Sequence, residues 1–428
     1  MSTTTTSGLP HPEPASPLTS GAPLSLYRLL EPQVLADPYP LYQRLRSEDP
    51  VHWDPYLHSW VVTRYADVVT VLRDFSAART PTPEQLTAIG LSKLTPLASV
   101  MVKQMLFLDP PSHSRIRGLA ACAFTPARVS ALRDRIQQLA NELLDKVAPS
   151  GRMDVLADFA EPLPAIVTSE LFGVSTEFAL QLKTWSARFA EMLGNFQHNP
   201  DRIPSMLDTI ENLTQFFRKT VLDQKKKPCP GLVQSLVKAE VEGDRLTEDE
   251  IIANCIITLV GGLETTTNLI GNGVLTLLRH PNEMQRLRND PALIVSAVEE
   301  LLRYESPSQH TARLASADIQ LGGKAIRKRQ AVIAVMGAGN RDPDRFPDPN
   351  RLDLARQDNR HLAFGWAAHF CFGAPLARLE GQIAFATLLN RFPELALEPG
   401  PVIWRENLGL RGLKALHVKL TNHQSTQP

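Results

Sequence analysis

Cysteine is scarce in this chain of 428 residues: there are four, Cys122, Cys229, Cys255 and Cys371, and no two stand at the short spacing of a zinc-type pair. That argues against a disulfide scaffold or a cysteine-built metal cluster. Neither sign of charge is in excess, with 45 Lys+Arg against 45 Asp+Glu, so no broad field points to nucleic acid or an anionic membrane. Long apolar runs are missing as well. The most apolar stretch, Ile251–Leu263, is shorter than a bilayer requires and contains Asn254 and Thr258, so no membrane anchor is expected. The opening MSTTTTSGLPHPEPASPLTSGAPL has neither the charged start nor the apolar stretch of a secretory signal, and its first basic residue is delayed to Arg28. A cytoplasmic protein is the expectation. Internal repeats, a convincing interdomain linker and a Gly-rich dinucleotide fingerprint are all absent from the sequence.

What is present is ample apolar material, 43% of residues, enough for one large core. Residues 1–24, rich in Ser, Thr and Pro, read as a disordered arm, and 423–428 as a flexible tail. The remainder, 25–422, reads as a single domain. Strand-like alternation appears at Trp60–Thr63, followed by a short helix. From Thr125 onward helical patterns dominate. FTPARVSALRDRIQQLANELLDKV predicts one helix with Thr125 as N-cap and Pro126 at its first position. Thr247 and Glu250 are spaced as a capping box at the head of a long apolar helix. Another helix, through ALIVSAVEELLRYES, stops at Pro307, and Leu314–Val335 alternates like strands around a Gly322-Gly323 turn. Leu222–Gly231, with Cys229 between two prolines, reads as a loop. The fold class is mainly α with small β-sheets.

One cysteine keeps unusual company. In HLAFGWAAHFCFGAPLAR, Cys371 lies just before a helix whose Pro375 is tolerable only in its first turn. Free N–H groups and the helix dipole favour an anion at that position. Gly365 and Gly373 permit close backbone approach, while Phe364, Trp366, Phe370 and Phe372 supply an apolar wall. The residues alone leave two readings: an inert buried cysteine, or a thiolate that ligates a metal with no second protein ligand, as a haem iron requires.

A second oddity is LVGGLETTTN, where Gly261 and Gly262 interrupt the most apolar helix at a cost of about 1 kcal/mol each relative to alanine. Threonines follow whose hydroxyls can bond backbone carbonyls and loosen or bulge the helix. Either two helices cross closely here, or something flat passes beside the glycines, with Glu264 and Thr265 placed to move protons. Glu300 and Arg303, three apart on another helix, read unaided as a modest surface ion pair.

Together these stretches resemble the cytochromes P-450. Phe364, Gly365, His369, Cys371 and Gly373 match that family's Phe-Gly-x-Gly-x-His-x-Cys-x-Gly loop, with Ala367 in place of the second glycine. Gly261, Gly262, Glu264 and Thr265 match its small-Gly-x-acid-Thr motif, and Glu300 and Arg303 its Glu-x-x-Arg signature. The Asp-Pro-Pro-x-His-x-x-x-Arg segment, the following Phe-Thr-Pro and a late Leu-Arg-Gly-Leu turn extend the likeness from about Pro38 to Val418.

The resemblance implies a single-domain cytochrome P-450 fold carrying haem b (heme, iron protoporphyrin IX) with Cys371 as the iron's thiolate ligand. It implies that His113, Arg117, Arg313 and His369 bind the propionates, and that His361 braces the loop. Thr265 would face the oxygen-binding side of the haem and Glu264 would gate proton delivery. Glu300 and Arg303 would be buried and structural. A pocket for a lipophilic terpenoid, fatty-acyl or polyketide substrate would be lined by Leu86–Met101, Phe178–Phe196, Leu259, Val260 and Leu263, with Gln309, His310 and Thr311 as polar anchors and Asn407–Leu410 completing it. The implied activity is a monooxygenase that uses O2 to hydroxylate or epoxidise its substrate. A ferredoxin or flavodoxin with its reductase would supply electrons, docking near Arg115 and Arg378. A peroxide-driven peroxygenase and a non-catalytic haem sensor of the same fold are the rival readings.

Overall fold

The computed structural model describes residues 23–121, 124–194, 200–241 and 244–420. Most of the expected arm and all of the expected tail lie outside these residues, as do Cys122 and positions 195–196 of the expected pocket lining. Eight helices build the scaffold around the cysteine loop: α1 (Ser112–Ala121), α2 (Arg133–Val147), α3 (Pro162–Phe172), α4 (Ala179–Gly194), α5 (Ile203–Lys226), α6 (Glu248–Arg279), α7 (Ile294–Tyr304) and α8 (Ala374–Arg391). None of the described helices is long and apolar enough to cross a membrane.

Helix α6 is the axle, touching α3, α4, α5, α7 and α8. It starts where the capping box was expected: the Thr247 hydroxyl accepts from the Glu250 N–H, and the Glu250 carboxylate accepts from the Thr247 N–H. Glu248, Asp249 and Glu250 load its first turn with negative charge against the helix dipole, and Arg279 closes its last turn. The Gly261-Gly262 pair does not bulge it; the helix is α throughout. Glycine also lets neighbours approach, since a Cβ at Gly273 would lie 2.3 Å from the Phe385 ring of α8.

A four-stranded sheet stands beside this helical mass, built from β1 (Val51–Asp54), β2 (Ser59–Val62), β3 (Thr311–Leu314) and β4 (Ala331–Ala334) in the order β1-β2-β4-β3. The β2–β4 pair is parallel and the outer pairs are antiparallel. The sheet's own core, around Val51, Val62, Val332, Ala334 and Leu362, is separate from the main helical core. Gly322 and Gly323 make the expected turn, both at positive φ, between the short strands Ile319–Leu321 and Lys324–Ile326.

Two expectations need correction. The helix predicted over Thr125–Val147 is two helices, Pro126–Ala131 and α2, because the chain turns at Leu132. Thr125 still caps the first of them, accepting from the Arg128 N–H. The loop predicted at Leu222–Gly231 begins later, since α5 continues to Lys226 with Val221 and Gln224 buried on its inner face.

The Glu300–Arg303 pair is not a surface pair. Both side chains are 0% exposed, and the guanidinium grips the carboxylate with two bonds of 2.7 and 2.8 Å. Arg303 also donates to the carbonyls of Asn340 and Pro349, both at 2.8 Å, while Glu300 accepts from the Asp353 N–H, Arg356 and Asn359. The polar loop after β4 is thereby tied to α7. Asn340 passes the constraint on, its side-chain oxygen Oδ1 accepting from the Leu362 N–H at the entrance to the cysteine loop.

Candidate functional site

The cysteine loop is closed at its base by one backbone bond, from the Cys371 N–H to the Phe364 carbonyl at 2.8 Å. Gly365 sits at φ +72°, as the tight turn requires. Ala367 sits at φ +54°, so a left-handed position carries a side chain where glycine is favoured. Gly373 caps α8 and Pro375 lies in its first turn. The result presents a half-buried Cys371 with the N–H groups of Gly373 and Ala374 directed at its sulfur. Burial pushes the thiol up, against those N–H groups and the Arg117 and Arg378 guanidiniums, which pull it down. Burial prevails, so the helix end alone does not hold Cys371 as an anion; it prepares a sulfur that a cation must finish ionising. The aromatic wall is partial. Phe364 is buried and Phe372 packs edge-on against Phe124 at 4.7 Å, but Phe370 is 37% exposed and faces outward.

On α6 the least buried positions of the apolar stretch are Thr258, Gly261, Gly262 and Thr265, a spacing that is one face of a helix. Nothing lies within 4 Å of where a Gly261 Cβ would be. An open face halfway along a core helix is room for a flat group. The Thr265 hydroxyl looks onto this face and donates to the Gly261 carbonyl at 2.5 Å. Glu264, one residue earlier, turns away and is 6% exposed. Its Oε2 accepts from Arg405 at 3.1 Å; Arg405 also bonds Glu161 at 2.6 Å, and Glu161 pairs with Lys183. Burial raises the Glu264 pKa, with Arg405 and Lys183 opposing.

Close to the cysteine lies a group of cationic and imidazole side chains short of acceptors. His113 is 2% exposed and neither ring nitrogen has a partner; its ring lies 4.1 Å from that of His369. Arg313, on β3, is 3% exposed and, among the described residues, bonds the Ala312 and Thr311 oxygens and leaves Nε unpartnered. Arg117 donates to the Phe370 carbonyl. Burial lowers His113, takes His369 down to about 3, and Arg313 down to about 10. Buried polar atoms are almost always paired, so these orphans mark where an anionic ligand belongs. With the open glycine face and the half-buried sulfur, the donor set suits a flat group that carries carboxylates and accepts one thiolate. Among the described residues no cluster of three or more His, Cys, Asp or Glu could hold a metal ion.

Other expected residues fall elsewhere. Leu259, Val260 and Leu263 are 1–2% exposed and belong to the core packing of α6, because the open face is the one carrying Gly261. Gln309 is 1% exposed, donates to the Ser306 carbonyl and packs on Gly337; it borders a different, small recess shared with Tyr42, Trp404 and Arg411. His310 is held by the Leu408 backbone and pushed down to about 4 by burial, so it is a neutral, committed side chain. Thr311 accepts from Arg313. Arg115 pairs with Glu250, and Arg378 forks onto Glu299 at 2.6 and 2.8 Å, so both guanidiniums expected to meet a partner are engaged within the chain. His361 does brace the loop: its Nδ1 accepts from the Ala363 N–H, leaving Nε2 to face Glu299 at 3.3 Å. Arg405 and Glu299 were invisible as partners of expected site residues, being single charges outside any motif.

A family model described as Cytochrome P450 matches residues 92–406. The polyketide biosynthesis cytochrome P450 PksS of Bacillus subtilis (strain 168) is 38% identical, over 90% of this chain and 96% of that protein. The 6-deoxyerythronolide B hydroxylase of Saccharopolyspora erythraea is 35% identical, over 90% of this chain and 96% of that one. Among solved structures, that of P450BioI in complex with hexadec-9Z-enoic acid ligated acyl carrier protein superposes with a TM-score of 0.86 at 38% identity, covering 91% of this chain and 99% of the other.

Proposed function

The chain belongs to the cytochrome P450 family, whose cofactor is haem and whose members include hydroxylases, and from that premise we propose a monooxygenase acting on a fatty-acyl or polyketide-type molecule with electrons from a separate ferredoxin or flavodoxin. The observation that carries this reading is the half-buried Cys371 near buried Arg313 and His113, whose side chains keep nitrogens without hydrogen-bond partners among the described residues. In it, Cys371 would hold the haem iron, His113, Arg117, Arg313 and His369 would hold the propionates, and the open face at Gly261 and Gly262 would receive the ring. Bound there, the haem supplies the activation of dioxygen and the insertion of one oxygen atom.

The chain's own part is to position and to move protons. Thr265 now spends its hydroxyl proton on the Gly261 carbonyl, and a rotation about χ1 frees that proton for the open face. Glu264 replenishes it. Burial raises its pKa, which favours the protonated acid, while the Arg405 N–H donated to Oε2 favours the carboxylate left when the proton departs. The ion-pair chain Lys183–Glu161–Arg405–Glu264 fixes the position of the acid; Arg405 keeps its own proton and does not relay one. A Glu264–Thr265 pair supports an oxygen-dependent reaction over a peroxide-driven one, which has no need of delivered protons. The lack of a Gly-rich dinucleotide motif supports an external electron source.

The reduced protein should bind carbon monoxide with the strongly red-shifted Soret band of a thiolate-ligated haem. Fatty acids, acyl chains on a carrier protein and macrolactones should then be compared as substrates with redox partners and O2, with peroxide alone, and with neither. Product only in the first condition is expected. Equal turnover with peroxide alone would replace the monooxygenase by a peroxygenase, and no product with either would favour a sensor.

A further inference from the structure

Arg79 is a cation without a counter-charge. It lies on the loop after the helix Tyr65–Asp74, a half-buried arginine whose recorded hydrogen bond is to the carbonyl of nearby Ala77, at 3.2 Å. Its guanidinium sits 4.6 Å over the Phe107 ring, and among the described residues it pairs with no carboxylate. Three sets of contacts bring this loop to the cationic group. Ser76 bridges Leu314, the residue after Arg313, with both N–H···O bonds at 2.9 Å. The Ala77 N–H and the Ser76 hydroxyl both donate to Asp109, whose segment leads into α1 and His113. Phe107, under the guanidinium, belongs to the same segment. Arg79 and Arg313 are near enough to repel, and with burial this brings Arg79 down to about 9. A guanidinium held against its own kind and without a counter-ion is unfavourable unless an anion arrives.

Arg313, whose own neighbour of opposite charge is Asp109, and the stacked imidazoles of His113 and His369 are thereby joined by a further guanidinium from a separate loop. Resting on the haem reading of the site, we propose that Arg79 is a propionate-anchoring residue, supplied by the loop after the helix Tyr65–Asp74 and joining Arg313, Arg117 and the two histidines at the anion site. A carboxylate on the substrate is the other anion with this chemistry, and the test separates the two.

Wild type, Arg79→Gln and Arg79→Lys are each loaded with haem b or with its dimethyl ester, which lacks the propionate charges, and release to excess apomyoglobin is timed. Arg79→Gln should speed loss of haem b by roughly ten- to hundredfold, the effect of removing one charged hydrogen-bonding partner. Loss of the dimethyl ester should be unchanged, and Arg79→Lys should lie between. Equal acceleration with both cofactors would mean a loosened fold and overturn the assignment, as would no acceleration with either. Unchanged haem release with weakened spectral binding of a fatty acid, but not of the matching alcohol, would transfer Arg79 to the substrate. A wild type lacking the thiolate-type carbon monoxide band would instead bring down the haem reading itself, and Arg79's role with it.

Discussion

Glu380 is a carboxylic acid inside α8, 1% exposed, with no ion partner among the described residues and with Oε2 lacking any hydrogen bond to them. Burial alone pushes it up to about 8 from an ordinary 4.5. The sign is set by proton counting. Between pH 4.5 and 8 the folded protein keeps this proton and the unfolded chain has lost it, so stability falls as pH rises through that window and is level above it. At pH 7 the shift spans two and a half units, worth about 3 kcal/mol at 1.36 kcal/mol per unit. Glu380→Gln removes the ionisation while keeping shape. A buried amide brings its own constant cost, so the diagnostic is the slope with pH and not the offset. For a chain of this length 3 kcal/mol corresponds to roughly 3 °C in Tm. Melting of the holoprotein followed by circular dichroism, wild type against variant, should therefore show the difference shifting toward the variant by about that amount between pH 5 and pH 7. Parallel profiles from pH 5 to 8 would refute the reasoning, since they would mean that Glu380 ionises in the folded protein as freely as in the unfolded one.

The geometry sets three further outcomes. Arg303→Ala strands the Glu300 carboxylate and frees the loop before the cysteine, so a loss of about 3–5 kcal/mol is expected, read by urea unfolding; a loss under about 1 kcal/mol would contradict the burial described. Ala367→Gly relieves a left-handed alanine worth about 1–2 kcal/mol, less about 0.4–1 kcal/mol for a more flexible unfolded chain, and should leave the protein slightly more stable in the same assay. Thr265→Ala should divert electrons from product to hydrogen peroxide at a similar rate of cofactor oxidation, measured as peroxide formed per reduced nucleotide consumed; unchanged coupling would remove Thr265 from proton delivery.

Legibility in the sequence tracked how local the physics was. The capping box at Thr247, the glycine turn at 322–323 and the Pro375 start of α8 depend on a few adjacent residues, and they are where the pattern put them. The break at Leu132 was hidden, since both flanking segments carry helical periodicity and Leu132 itself has a helical backbone conformation. Motif resemblance pointed to Gly261 and Thr265, but the same helix's apolar residues were assigned to a pocket because rotation of a helix in its core cannot be read from hydrophobicity when nearly every face is apolar. The internal partners of the two arginines expected at a docking surface were hidden for a related reason: Arg378 and Glu299 are 79 residues apart, and no local pattern shows that they meet. Arg79 and Arg405 act through partners far along the chain, which leaves no trace in spacing.

The anion-seeking group draws its members from two structures that fold around different interiors. His113 and Arg117 hang from the helical mass, whereas Arg313 rides on an edge strand of a sheet with a core of its own. On the proposed reading, a rigid dianion gripped by both would act as a rivet across the seam between two cores, adding to the tie that Arg303 and Asn340 already make between the loop after β4 and α7. The loaded protein should then melt at a higher temperature than the emptied one. On this view the cofactor is as much a fastener as a reagent.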